Sequence, residues 1–127
     1  MNETELIKLA RSKLPNSYAP YSKFRVAALA ITKDGKIFHG VNVENASYGL
    51  SMCAERVAIF KAISDGSRDI DTIIVVSEHG MPYPCGACLQ VMEEFGVRRV
   101  IIAGENGHEI HELRNLLPHP FNKSSLP

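Results

Sequence analysis

The sequence contains no tryptophan, only three cysteines, no excess of either charge and no long apolar run. Each absence narrows what the chain can be. Lys+Arg 14 against Asp+Glu 14 gives 14 − 14 = 0, which excludes dependence on a large basic footprint, because nonspecific nucleic-acid affinity comes from neutralising phosphates. No stretch approaches the ~18 apolar residues of a membrane-spanning helix, and the opening MNETELIKLA is charged and amphipathic rather than a signal peptide, so a cytoplasmic location is expected. Three cysteines are too few and too odd for a disulfide framework; without export signals they read as thiols kept reduced for a metal or for catalysis.

What is present suits one compact domain spanning residues 1–127: 45% hydrophobic and 22% charged residues can bury a core without staples. Asn2, with Glu5 three residues on, predicts a helix to about Leu14 that ends at Pro15. Strands are expected over 24–32 and 37–43, joined by the hairpin turn Lys33-Asp34-Gly35-Lys36. Ser51 reads as the cap of a helix over 52–64. The run IDTIIVV at 70–76 reads as a buried strand parallel to its neighbours, Pro84 opens a helix to Phe95, and strands over 97–103 and 108–113 follow. Only the tail from Pro118 reads as loosely structured. The order α, β, β, α, β, α, β, β implies an α/β fold, one mixed sheet with helices on both faces.

The thiols fall at two helix starts: Cys53 in C-A-E, and Cys85 and Cys88 in P-C-G-A-C. Exposed N–H groups and the positive end of the helix dipole favour a thiolate there. Three thiolates suit Zn²⁺ with its fourth position open to a water, which becomes hydroxide near neutral pH. Glu55 is the natural proton carrier for that water. Zinc with three thiolates carries 2 − 3 = −1, and Arg56, in the same first turn, can donate hydrogen bonds to the sulfurs and offset that charge. Two plainer readings compete. A redox C-x-x-C pair leaves Cys53 and Glu55 unused, and a closed structural zinc site needs a fourth ligand, for which His79 is the nearest candidate.

The motifs C-A-E-R at 53–56 and P-C-G-A-C at 84–88 resemble those of the zinc-dependent cytidine deaminases, three-cysteine variant. The resemblance extends to P-Y-S-K-F at 20–24, N-V-E-N-A-S-Y at 42–48 and L-L-P-H-P-F at 116–121, which point to the small branch acting on free nucleosides. It implies a three-layer α/β/α fold with a mixed five-stranded sheet. It also implies hydrolysis of cytidine, and of 2′-deoxycytidine, to the uridine product and ammonia in pyrimidine salvage, by zinc-bound hydroxide with Glu55 shuttling protons. Carried over residue by residue, Cys53, Cys85 and Cys88 hold zinc, Asn42 and Glu44 bind the ribose hydroxyls, Phe24 packs on the base, and the Ala54 N–H binds the pyrimidine oxygen. Small members are homotetramers with shared sites, which implies roles for Ala46, Tyr48 and Phe121 in an adjoining subunit's pocket. The chain departs from the family at Leu89, where Arg is usual, and at Ala27 and Val57, where Gly and Thr are usual; the first leaves Arg56 as the cation beside the thiolates.

Overall fold

The computed structural model describes residues 1–127. Helix α1 (Glu3–Arg11) is followed by the hairpin β1 (Val26–Thr32) and β2 (Ile37–Val41). Then come α2 (Ala54–Ser64), β3 (Ile70–Ser77), α3 (Gly86–Glu94), β4 (Arg99–Gly104), β5 (Gly107–Glu112) and a single turn of helix, α4 (Leu113–Leu116). The five strands form one mixed sheet in the order β2-β1-β3-β4-β5. No helix is long and apolar enough to cross a membrane.

The sheet is covered on both faces, and the strand period of two decides which residue goes where. Along β1, Val26, Ala28 and Ala30 pack beneath α2 and α3, while Ala27 and Leu29 face α1. β3 and β4 divide likewise, Ile73, Val75, Val100 and Ile102 on one side and Ile74, Val76, Ile101 and Ala103 on the other. These strands are nearly continuous apolar runs because neither face meets water.

β3 is parallel only to β4; against β1 it runs antiparallel. The expectation of parallel neighbours on both sides is therefore corrected. The reason is topological: β2 and β3 are joined through α2 and point the same way, but β1 lies between them and pairs antiparallel with both. The Asp34-Gly35 turn forms as expected, with Gly35 at φ +90, a left-handed value that favours glycine.

Several boundaries move for local reasons. α1 begins as read, the Asn2 side chain accepting from the Glu5 N–H at 2.9 Å, but it stops at Arg11, and Leu14–Asn16 is a separate 3₁₀ turn. β1 starts at Val26 rather than Phe24, because Lys23 adopts φ 60 and turns the chain just ahead of the ladder. Ser51 does not cap α2. Its hydroxyl accepts instead from the Asn45 N–H at 3.1 Å, and Cys53 occupies the cap position with extended backbone. Cys85 likewise caps α3. The tail is not loose either: Gln90 Nε2 donates to the Phe121 carbonyl at 2.6 Å, Asn122 Nδ2 reaches Glu93 at 3.3 Å, and Lys123–Ser125 forms a 3₁₀ turn.

Candidate active site

The first turns of α2 and α3 meet above the sheet on the face opposite α1. Gly40 on β2 lets α2 settle this close to the sheet: a Cβ there would lie 2.4 Å from the Ala58 nitrogen and 2.6 Å from the Ala54 carbonyl. With both cap residues being cysteines, the two helix starts bring three thiols together. Cys53 Sγ is 3.9 Å from Cys85 Sγ, Cys85 Sγ is 3.6 Å from Cys88 Sγ, and all three sulfurs lie within 4.8 Å of one another. Two thiolates held about 2.3 Å from one tetrahedral zinc stand about 3.8 Å apart, so this cluster has the dimensions of a zinc site. Neither cap cysteine uses its sulfur to cap a backbone N–H of its own helix. His79 is not among the residues that approach the cluster, and no fourth protein ligand closes it.

Electrostatics support the same reading. Arg56 Nη2 donates to Cys53 Sγ at 3.5 Å. The neighbouring Cys88 thiol and the Arg56 guanidinium lower the Cys53 thiol from 9.0 to about 5, while Cys88, facing Cys53 and buried, is pushed up. Arg56 Nε is buried without an acceptor, which is costly unless a negative centre lies beside it. The thiols, paired with one guanidinium, therefore form a site built for a dication.

Glu55 is 4% exposed, and burial raises its carboxyl to about 7, with the Cys53 charge adding to the shift. A carboxyl that titrates near neutrality beside a metal site is equipped to take and give protons. It opens onto a cleft of about 230 Å³ whose floor holds Cys53, Ala54, Glu55 and Cys85 and whose far end holds Asn42 and Glu44. Phe24 and Val26 form one wall, Pro82 and Tyr83 another, and Ser22 completes the rim.

Asn42 and Glu44 lie just past the end of β2 rather than within a strand. The amide of Asn42 is mostly committed: Oδ1 accepts from the Val26 N–H at 3.0 Å and from the Ser17 hydroxyl, and Nδ2 donates to the Phe24 carbonyl at 2.8 Å. One Nδ2 hydrogen remains. Glu44 Oε1 accepts from the N–H groups of Tyr21 and Ser22 at 3.0 and 3.1 Å, and Oε2 from the Ser22 hydroxyl, the last of these chiefly holding its carboxylate below the ordinary range. Of the residues expected at the site, Phe24, Asn42, Glu44, Cys53, Ala54, Glu55 and Cys85 line this cleft; Cys88 sits buried behind the other two thiols. Ala46, Tyr48 and Phe121 do not. Tyr48 lines an adjoining hollow, edge-on to Tyr21, and Phe121 lies exposed on the tail beside α3. Ser22, Val26, Pro82 and Tyr83 were not singled out in the sequence, although Pro82 and Tyr83 directly precede the P-C-G-A-C motif.

A three-thiol zinc site open to a cleft, with a buried carboxyl at its floor, defines a zinc-dependent hydrolytic deaminase. Residues 1–104 match the family described as the cytidine and deoxycytidylate deaminase zinc-binding region. The chain is 52% identical to a cytidine deaminase of Halalkalibacterium halodurans over 99% of this chain and 98% of the relative. It is 42% identical to one of Sporosarcina psychrophila over 99% and 96%. The crystal structure of cytidine deaminase from Burkholderia pseudomallei superimposes with a TM-score of 0.89 at 46% identity, covering 95% of this chain and 100% of that one. The chain belongs to the cytidine and deoxycytidylate deaminase family.

Proposed function

We propose that the chain hydrolyses cytidine, and 2′-deoxycytidine, to the corresponding uridine nucleoside and ammonia, as a cytoplasmic enzyme of pyrimidine salvage. The observation that carries this reading is Glu55, a buried carboxyl held near neutral pKa at the floor of a cleft shared with the three thiols. Cys53, Cys85 and Cys88 would hold zinc, which when bound would supply a Lewis acid able to make a water nucleophilic at neutral pH. Glu55 takes a proton from the attacking water and places it on N3 as C4 becomes tetrahedral. It then carries the second water proton to the exocyclic amine, and the C4–N bond breaks to release ammonia. Arg56 offsets the excess thiolate charge.

At the other end of the cleft, the spare hydrogen of Asn42 Nδ2 donates to a sugar hydroxyl and the free lone pairs of Glu44 Oε2 accept from it, since Asn42 Oδ1 is already saturated. Phe24 packs on the base. Ala54 is the first residue of α2, so its N–H has no partner within the helix and is free for the pyrimidine oxygen.

The cleft, at about 230 Å³, falls below the roughly 300 Å³ at the lower end for ligand sites. Beside it Tyr48 (74% exposed) and Leu50 (68%) stand out from the surface. Single-domain chains (1–127 here) that assemble as homotetramers bury such surface, and in that assembly Ala46, Tyr48 and Phe121 complete a neighbouring copy's site.

Zinc-loaded protein is expected to convert cytidine to uridine with one ammonia released per turnover, followed by loss of cytosine absorbance. Chelation abolishes the activity and zinc restores it. Protein carrying one zinc per chain that leaves both cytidine and 2′-deoxycytidine intact overturns the reading.

A further inference from the structure

The wall of the cleft formed by Pro82 and Tyr83 belongs to the segment between β3 and α3, and this segment is fastened to the β4–β5 hairpin at three points. The His79 carbonyl accepts from the Glu105 N–H at 3.1 Å. Gly80 lies against Gly104 so closely that a Cβ on Gly104 would come within 3.1 Å of the Gly80 carbonyl. The third fastening is a side-chain chain: the Tyr83 hydroxyl bonds both oxygens of Glu109, at 3.0 and 2.9 Å, and Glu109 Oε1 is held in turn by His111 Nε2 at 2.8 Å. Glu109 and His111 are on β5, the edge strand, and do not themselves line the cleft.

Nothing in the mechanism uses Tyr83. Tyr83 nevertheless lines the same cleft as Cys53, Glu55 and Cys85, on a segment that runs into Cys85 two residues on. A tyrosine that is 56% exposed and untethered would sample several rotamers. The single hydroxyl hydrogen, shared between the two oxygens of a carboxylate that is itself fixed by a histidine, holds the ring in one position. A wall fixed in this way limits what can be attached to the pyrimidine close to C4.

We propose that Tyr83 is a specificity-determining residue that excludes cytosine nucleosides enlarged at N4 or C5, and that Glu109 and His111 are the positioning residues that hold its ring in place. The assignment rests on the deaminase reading above and adds a substrate boundary to it.

The test is the ratio of kcat/KM for 5-methylcytidine and N4-methylcytidine to that for cytidine, measured on the zinc-loaded enzyme. A single methyl group against a fixed wall is worth roughly 10–200-fold in discrimination, so Tyr83→Ser is expected to raise the ratio at least about tenfold. Glu109→Ala, which frees the ring but keeps it, raises the ratio by about threefold through KM with kcat held. Glu109→Gln retains an acceptor oxygen and returns the ratio to that of the native enzyme. In the Tyr83→Ser background Glu109→Ala adds nothing further, because it acts only through the ring. A ratio within twofold of native in Tyr83→Ser, or a Glu109→Ala effect that persists without the tyrosine, overturns the assignment and leaves the deaminase reading intact. The Glu109 pair lies on an exposed edge and decides the question even where Tyr83→Ser folds poorly. A native enzyme with no turnover of cytidine overturns both.

Discussion

Replacing Glu55 with glutamine is expected to lower kcat by at least about a thousandfold while making the metal-free protein more stable above pH 7. The first half follows from the two proton transfers assigned to one carboxyl, since general acid–base catalysis contributes typically 10²–10⁴-fold. The second follows from where that carboxyl is kept. Burial raises it from 4.5 to about 7, so the folded state favours the neutral acid. A group whose folded pKa lies above its unfolded value contributes its full stability below the unfolded pKa and loses it as pH rises through the folded one. Between pH 4.5 and 7 the native metal-free protein therefore gives up about 3 kcal/mol, at 1.36 kcal/mol per pKa unit.

Glutamine has the same shape and no charge to bury, so the variant avoids that loss. Thermal unfolding of the two chelated proteins at pH 4 and pH 8 checks this. Their midpoints coincide at pH 4 and separate by roughly 10 °C in favour of glutamine at pH 8. Parallel curves across the whole range mean that the folded protein does not disfavour the carboxylate. Catalysis and stability pull in opposite directions at this residue, as they do wherever a charge is kept poorly solvated for use.

Gly40→Ala is the second large effect. The added Cβ would lie 2.4 Å and 2.6 Å from backbone atoms of α2, and backbone cannot rotate away as a side-chain tip can. The helix has to lift from β2, at a cost at or above the upper end of the usual 1–3 kcal/mol for overpacking. The same displacement moves Cys53, the cap of α2, away from Cys85 on α3, so zinc affinity falls with stability, by about tenfold or more. Urea unfolding and a zinc competition titration measure the two. Gly49→Ala is the control: nothing lies within 4 Å of its Cβ, and its stability stays within about 0.5 kcal/mol of native. A Gly40→Ala protein with native stability and zinc affinity shows that α2 can shift without disturbing the site.

The sequence carried the eight main elements in order, because apolar runs, the Asp34-Gly35 turn and the helix-ending glycines mark them out one by one. It did not carry the direction of β3 against β1. A continuous apolar run reads the same in a parallel and an antiparallel pairing, and the difference depends on which strand the β2–α2–β3 connection passes over. The starts of α2 and α3 were displaced because serine and proline are ordinary first-turn signals, whereas a cysteine at a cap becomes informative only when its sulfur is known to be elsewhere. The three cysteines that converge and the buried Glu55 were legible because each short motif carries its own chemistry. At Asn42 and Glu44 the residues were legible but their bonding was not: only the distances reveal that Asn42 Oδ1 is saturated within the chain. Tyr83 escaped notice because the partner that orients it, Glu109, lies 26 residues away.

The hairpin that steadies Tyr83 also ends the sheet. β5 has no neighbour beyond it, and a bare strand edge is a template on which other chains can add and aggregate. Its six residues, G-H-E-I-H-E, include two glutamates and two histidines and only one large apolar side chain, Ile110. Charge along that border opposes the addition of a further strand. Glu109 thus guards the rim of the fold as well as the entrance to its cleft, so substitutions there carry a colloidal cost, visible as light scattering at high concentration, that is separate from any change in substrate choice.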